Sequence, residues 1–300
     1  MKYRSLGMRL TIIFVALWAA EEALTGVLLQ RYGLAQVVCL RFALHLALLW
    51  MLFGRGNGPS LWRTRRPVSQ LFRAAMMVGM PACWSLGVQR GLAPVTFLAV
   101  FWIAPLMILG LSRLVLRERV PLKLFGFAAA ASVGVFLLLG PHALPRPELL
   151  VFPVAMAACF SVYVVMTRLL HAEPTRVNLF YTGLGACLLL LPLMPSGWVT
   201  PSAPDLLLLV GVAVLGLGAL LALERLTAVA PISRTAPLLY LQIGFTLAFA
   251  WVASHPLPGL IAVGAVLLAA GLWLALRQRR RGSSWHMTSL LADTGHAGLD

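Results

Sequence analysis

The sequence predicts an all-α polytopic membrane protein: ten transmembrane helices, arranged as two inverted five-helix repeats. Three observations predict it. Of 300 residues, 60% are hydrophobic and only 11% charged, whereas about a quarter of the residues in a soluble domain are charged. Apolar runs long enough to cross ~30 Å of hydrocarbon as helices recur along nearly the whole chain. The stretch from Gly91 to Leu139 also returns 137 residues later: Ala93-Pro94 matches Ala230-Pro231, Pro121 matches Pro258, Ala128 matches Ala265 and Gly134 matches Gly271. Each copy closes a block of five apolar runs, as internal repeats in many transporters do.

The spans follow in order. The first, Leu10–Gln30, starts after Lys2, Arg4 and Arg9. It continues past Glu21-Glu22 without a small-x-small cleavage site, so it is expected to be retained rather than removed as a signal peptide. The second, Ala35–Phe53, carries Arg41 and His45. The third and fourth, Leu71–Val88 and Ala93–Leu114, are interrupted by Pro81 (with Gly79) and Pro105; such prolines free backbone carbonyls that need a partner or a wet cavity. A tight basic turn, Arg117-Glu118-Arg119, leads into the fifth, Leu122–Leu139. Leu149–Leu169 opens the second block, and the short Val177–Leu193 closes on Pro192 and Pro195. Leu206–Leu223, Ile232–Val252 (marked by Pro237) and Gly259–Leu276 complete the ten. The units are therefore residues 1–140, 149–277 and a tail, 278–300, that lacks apolar periodicity and reads as disordered and cytoplasmic.

Charge sets the orientation. Of 24 basic residues, Arg31, Arg90 and Arg146 fall on one side, Arg41 lies within a span, and all others, Arg73 among them, fall on the side shared by both termini. Cytoplasmic loops hold the excess of Lys and Arg, so both termini are expected in the cytoplasm. Five spans per block is odd, so the second block enters from the opposite face and the halves are inverted.

The net charge of +15 does not suggest nucleic acid, because the basic residues sit in short turns rather than along a stripe with interleaved aromatics. Cys39, Cys83, Cys159 and Cys187 lie in apolar runs without CxxC spacing, which argues against a disulfide framework or zinc site. There is no phosphate-binding G-x-x-x-x-G-K-[ST], G-x-S-x-G elbow or H-E-x-x-H. Asp205, Asp293 and Asp300 all lie outside the predicted spans, so an intramembrane carboxylate metal centre is not expected. No cofactor is implied.

In this order, Leu17-Trp18-Ala19, Cys39-Leu40-Arg41-Phe42, Pro105, Leu116-Arg117-Glu118-Arg119, Gly126 and Gly134, then Phe160-Ser161-Val162-Tyr163, Gly264 and Gly271 resemble the drug/metabolite transporter superfamily, in its EamA-like ten-helix branch. The resemblance runs over roughly residues 8–277. It implies a secondary transporter of the bacterial inner membrane that exports a small metabolite, amino acid or drug-like solute by alternating access. Two departures stand out: His255 replaces the Glu often found at the second-half counterpart of Glu118, and Glu21-Glu22 occupies a place usually held by small, amide or aromatic residues.

The candidate pathway residues are Glu21, Glu22, Arg41, His45, Trp84, Trp102, Tyr163, Tyr240 and Gln242. Eleven residues of helix from Leu10 place Glu21 roughly 17 Å into the membrane, where a carboxylate must face the bundle interior, pair or hold a proton. Glu21 is read as cavity-facing, exchanging a proton or a cationic group of the substrate, and Glu22 as the partner of Arg41; a purely structural ion pair is the alternative. The repeat match of Trp18-Ala19 to Phe160-Ser161 puts Tyr163 opposite Glu21. Arg41 and His45 stand one turn apart on one face; the resemblance makes Arg41 a scaffold residue, and a lone helical His is more often a satisfied core residue than a switch. Trp84, Trp102, Tyr163, Tyr240 and Gln242 lie in spans that line the cavity in the resembled fold. Expected partners are a small-molecule substrate, protons as coupling ion, membrane lipids and a second copy of the chain in a homodimer. The competing functions are a membrane-embedded enzyme acting on a lipid-linked substrate with Glu21 as acid or base, and a receptor or assembly subunit that transports nothing.

Overall fold

In a computed structural model of the chain the described residues are 2–54, 61–139, 147–194 and 197–254. The predicted tenth span Gly259–Leu276, the tail 278–300, and the residues Arg146, Pro258, Gly264 and Gly271 lie outside them, as does His255.

Helices account for every regular element among the described residues, and no strand occurs there. They are α1 (Lys2–Leu28), α2 (Leu34–Phe53), α3 (Pro67–Gln89), α4 (Pro94–Phe101), α5 (Ala104–Leu114) and α6 (Leu122–Leu139). There follow α7 (Val151–Leu169), α8 (Thr175–Leu190), α9 (Ala203–Val229), α10 (Ile232–Thr235) and α11 (Leu241–Ser254). Eight helical stretches among the described residues are long and apolar enough to cross a membrane, with α4 and α5 forming one of them. Hydrocarbon offers no hydrogen bonds, so helices that satisfy their own backbone are the natural form for these runs. Prolines sit in the first turn of α3, α4, α5 and α9, where their missing N–H costs nothing. Ser202 caps α9, its side chain accepting from the Asp205 N–H.

Pro105 marks a real break: α4 ends at Phe101 and α5 starts at Ala104. Pro237 does likewise, lying in a 3-10 turn, Ala236–Tyr240, between α10 and α11. Pro81 does not, because α3 runs through it unbroken; the expected interruption there is corrected.

Helices of the first half pack between those of the second. α1 lies along α9 and α11, α2 against α8 and α9, α3 against α7 and α8, and α5 against α7. Small residues let these rods approach. A Cβ on Gly185 of α8 would lie 2.4 Å from the Cβ of Ala74 on α3, so neither position tolerates added bulk. By contrast α6 buries only Ala128 and Val135 and turns Leu122, Phe127, Leu137 and Leu138 outward. Such a face suits a lipid environment, not water.

Candidate functional site

Arg41 closes on Glu21, not Glu22. Its Nη1 lies 2.9 Å from Glu21 Oε1, joining α1 to α2, and the two side chains are 17% and 6% exposed. Thr25, one turn on, donates to the same oxygen at 3.3 Å. Glu22 instead accepts from Gln242 Nε2 of α11 at 2.6 Å. The expected pairing of Arg41 with Glu22 is thus corrected: Arg41 pairs with Glu21, and the two adjacent positions of α1 point in different directions. Successive residues differ by about 100°, so Trp18 at i−4 lies nearer to Glu22 than to Glu21, while Thr25 at i+4 lies nearer to Glu21. Glu21 therefore looks toward α2 and α9, and Glu22 toward α11.

Arg41 also depends on a glycine. A Cβ at Gly216, the midpoint of α9, would come within 2.6 Å of its Nη2 and 2.8 Å of its Nε. A side chain at this position would push the guanidinium from the place it occupies.

Below the carboxylates lies an aromatic cluster centred on Trp18, with Phe160 at 5.0 Å, Phe14 at 5.5 Å, Trp102 at 6.4 Å and Phe101 at 6.5 Å between ring centroids. Trp102 reaches Tyr240 at 5.8 Å. The Tyr240 hydroxyl donates to the Ala128 carbonyl at 2.9 Å and meets Ser132 at 2.8 Å. Glu21, Glu22, Arg41, Gln242, Trp102 and Tyr240 are thus brought into one region, together with Trp18.

Three of the candidates stand apart. His45 is buried, with Nε2 3.3 Å from the Leu179 carbonyl, as a satisfied core histidine would be. Trp84 packs on Phe97 at 4.8 Å. Tyr163 does not face Glu21: it lies under the Arg73 guanidinium, 5.4 Å from its ring centroid, in a second polar cluster absent from the sequence expectations.

That second cluster centres on Arg73, whose side chain is 0% exposed and pairs with Glu224 at 2.5 Å. The same nitrogen donates to Thr167 at 3.3 Å, while Nη2 donates to Thr182 at 3.0 Å, Gln70 at 3.4 Å and the Asn178 carbonyl. Asn178 in turn donates to Glu224 at 2.9 Å, and Gln70 to Asn178 at 2.6 Å. Four helices, α3, α7, α8 and α9, meet there. Placing Arg73 with the basic residues of the loops is corrected: α3 begins at Pro67 rather than Leu71, so Arg73 lies six residues, about 9 Å, inside its helix. Likewise α9 runs on to Val229, which encloses Glu224. The signals were the Pro67 helix start and the Leu226-Thr227-Ala228-Val229 continuation beyond Glu224-Arg225.

Each end of the bundle is also tied. At the face where α1 ends and α9 begins, Asp205 accepts from Arg31 at 2.8 Å, Tyr32 at 2.7 Å and Ser202 at 2.6 Å. At the opposite face Glu173 accepts from Thr64 at 3.2 Å and the Arg65 N–H at 3.3 Å. Glu118 there receives the Ile232 and Ser233 N–H groups at 3.2 and 2.9 Å, satisfying the start of α10. No group of three or more metal-ligating side chains occurs among the described residues.

No protein-family model matches the chain. The S-adenosylmethionine uptake transporter of Rickettsia prowazekii (strain Madrid E) is 25% identical over 233 residues, 76% of this chain and 79% of that protein. The protein of the same name in Rickettsia bellii (strain RML369-C) is 24% identical over 245 residues, 81% of this chain and 83% of that protein. A protein known by crystal structure superposes with a TM-score of 0.70 at 21% identity, covering 93% of this chain and 99% of the other. That likeness shows the fold alone.

Proposed function

We propose that this chain is a secondary transporter of the drug/metabolite transporter superfamily, EamA-like in kind. On this reading ten helices form two inverted repeats, residues 1–140 and 149–277, followed by a cytoplasmic tail at 278–300. The protein lies in the bacterial inner membrane with both termini cytoplasmic. It moves a small cationic or zwitterionic solute by alternating access, without changing it chemically, and protons are the coupling ion. The names of the relatives support a transporter rather than an enzyme. They also point to uptake, whereas export was the expectation from the resemblance.

The observation that carries the reading is the group Glu21–Arg41 with Glu22–Gln242 above the Trp18 aromatics. Ionisable side chains within membrane helices are expensive and mark solute or proton paths. Carboxylates suit a cation, Arg41 suits a carboxylate, and aromatic faces suit a flat ring or a cation. S-adenosylmethionine carries all three: a sulfonium and an ammonium, a carboxylate, and adenine. Glu22, free of Arg41, is the carboxylate that exchanges proton or substrate, and Glu21 holds Arg41 in place. The Asp205 tie and the Arg73–Glu224 cluster, one toward each face, close the path at its two ends.

The test is flux. Purified protein in sealed vesicles should accumulate radiolabelled S-adenosylmethionine under an imposed proton gradient, and the label should be recovered unmodified. Vesicles that accumulate neither this compound nor any of a panel of cationic metabolites above the protein-free level would reject the proposal.

A further inference from the structure

Gln242 is 2% exposed, and its Nε2 donates to Glu22 at 2.6 Å. Its Oε1 is buried and has no hydrogen-bond partner among the described residues. A buried amide oxygen without a donor is destabilising, and such orphans are rare enough in native proteins to need an explanation. Turning the amide over does not remove the problem: the oxygen would face the Glu22 carboxylate and the nitrogen would be left without an acceptor. In the orientation the structure shows, Nε2 faces Glu22, and the unmet demand is for a donor at Oε1.

The neighbourhood narrows what the donor is. Gln242 is bonded to Glu22, whose chain neighbour is Glu21 and which has Trp18 of the aromatic cluster one helical turn away, so the orphan oxygen belongs to a side chain held at a carboxylate. A cation that also bears N–H would be held by charge at Glu22 and by a hydrogen bond at Gln242. A fully alkylated cation could meet only the first demand.

We infer that Gln242 is a specificity-determining residue whose Oε1 accepts an N–H of the transported solute while Glu22 holds its charge. This rests on the transport reading above and deepens it: the solute is a cation that donates hydrogen bonds, not merely a cation. In S-adenosylmethionine the donor could be the α-ammonium or the adenine amino group, and the two arms of the experiment separate them.

The experiment is competition against uptake of radiolabelled S-adenosylmethionine in vesicles, using the α-N-trimethyl and the adenine N6-dimethyl analogues. For the wild type, one analogue should compete about tenfold less well than unlabelled parent, the size expected for one lost hydrogen bond at a buried acceptor. In Gln242→Met, which keeps the chain length but removes the acceptor, parent and analogue should compete alike. In Gln242→Glu, which restores an acceptor, the preference for the parent should return. Equal competition by both analogues in the wild type, or an unchanged preference in Gln242→Met, would overturn the inference while leaving transport standing. Absence of wild-type uptake would overturn both together.

Discussion

Glu224→Gln is the most informative single change in this molecule. It keeps the shape of the side chain and one acceptor oxygen but removes the negative charge facing Arg73. Arg73 would then be a full positive charge at 0% exposure, with only neutral partners around it: Thr167, Thr182, Gln70, the Asn178 carbonyl, the Tyr163 ring and the new amide. Removing one partner of a buried ion pair costs about 3–5 kcal/mol. At roughly 2 °C per kcal/mol, the lower end of the range for large chains, the unfolding midpoint should fall by several degrees. The assay is thermal unfolding of the detergent-solubilised protein. A paired change, Arg73→Met with Glu224→Met, should recover most of the loss, since replacing both ions by apolar groups of similar volume is often neutral. A Glu224→Gln protein that melts with the wild type would refute the reasoning. A double variant as unstable as the single one would show that lost hydrogen bonds, not an unpaired charge, set the cost.

Other outcomes follow from the same geometry. Glu22→Gln should abolish gradient-driven uptake at normal folded yield, whereas Glu21→Gln should lower the yield because Arg41 loses its partner at 2.9 Å; uptake and monodisperse recovery from membranes, measured side by side, check this. Gly216→Ala should displace the Arg41 guanidinium, whose Nη2 lies 2.6 Å from the new Cβ, and weaken solute binding several-fold with little change in melting; unchanged competition curves would count against it. Ala99→Trp and Ala236→Trp, at 2% and 1% exposure, should overpack the core by at least about 1–3 kcal/mol and appear as lost folded protein rather than as blocked flux. Cysteines placed at Arg65 and Thr200, both exposed, should react with impermeant reagents from opposite faces of the membrane, Arg65→Cys from the cytoplasm.

Span existence was legible because length and apolarity decide it: the first eight predicted spans correspond to eight helical stretches among the described residues. Span ends were less legible. The predicted third span begins at Leu71 and the eighth ends at Leu223, leaving Arg73 at the end of one and Glu224 just beyond the other, yet each side chain satisfies the other inside the bundle. Hydropathy scores residues singly, so a pair separated by 151 positions stays invisible to it. The same limit explains why Arg41 was assigned to Glu22 when the structure pairs it with Glu21. Both were recognised as unusual, but which one faced Arg41 depended on how α1 is rotated against α2 and α9, and nothing local sets that rotation. Gly216 was overlooked for a related reason: its role is to be absent from the space that Arg41 fills.

Asp205 and Glu224 stand on the same rod. Nineteen residues of α9 separate them, about 28 Å of rise, and Gly216 lies between, about 16 Å from one and 12 Å from the other. Each carboxylate holds a different part of the first half, the α1–α2 turn at one face and α3 near the other. A stiff helix balanced near its middle behaves as a seesaw: a tilt of about 10° would swing its ends by roughly 2–3 Å in opposite directions. That is enough to break a hydrogen bond at one end while pressing the other end home. On the alternating-access reading proposed above, mutual exclusion of the two exits would need no relay through side chains, because the rigidity of one helix would couple them.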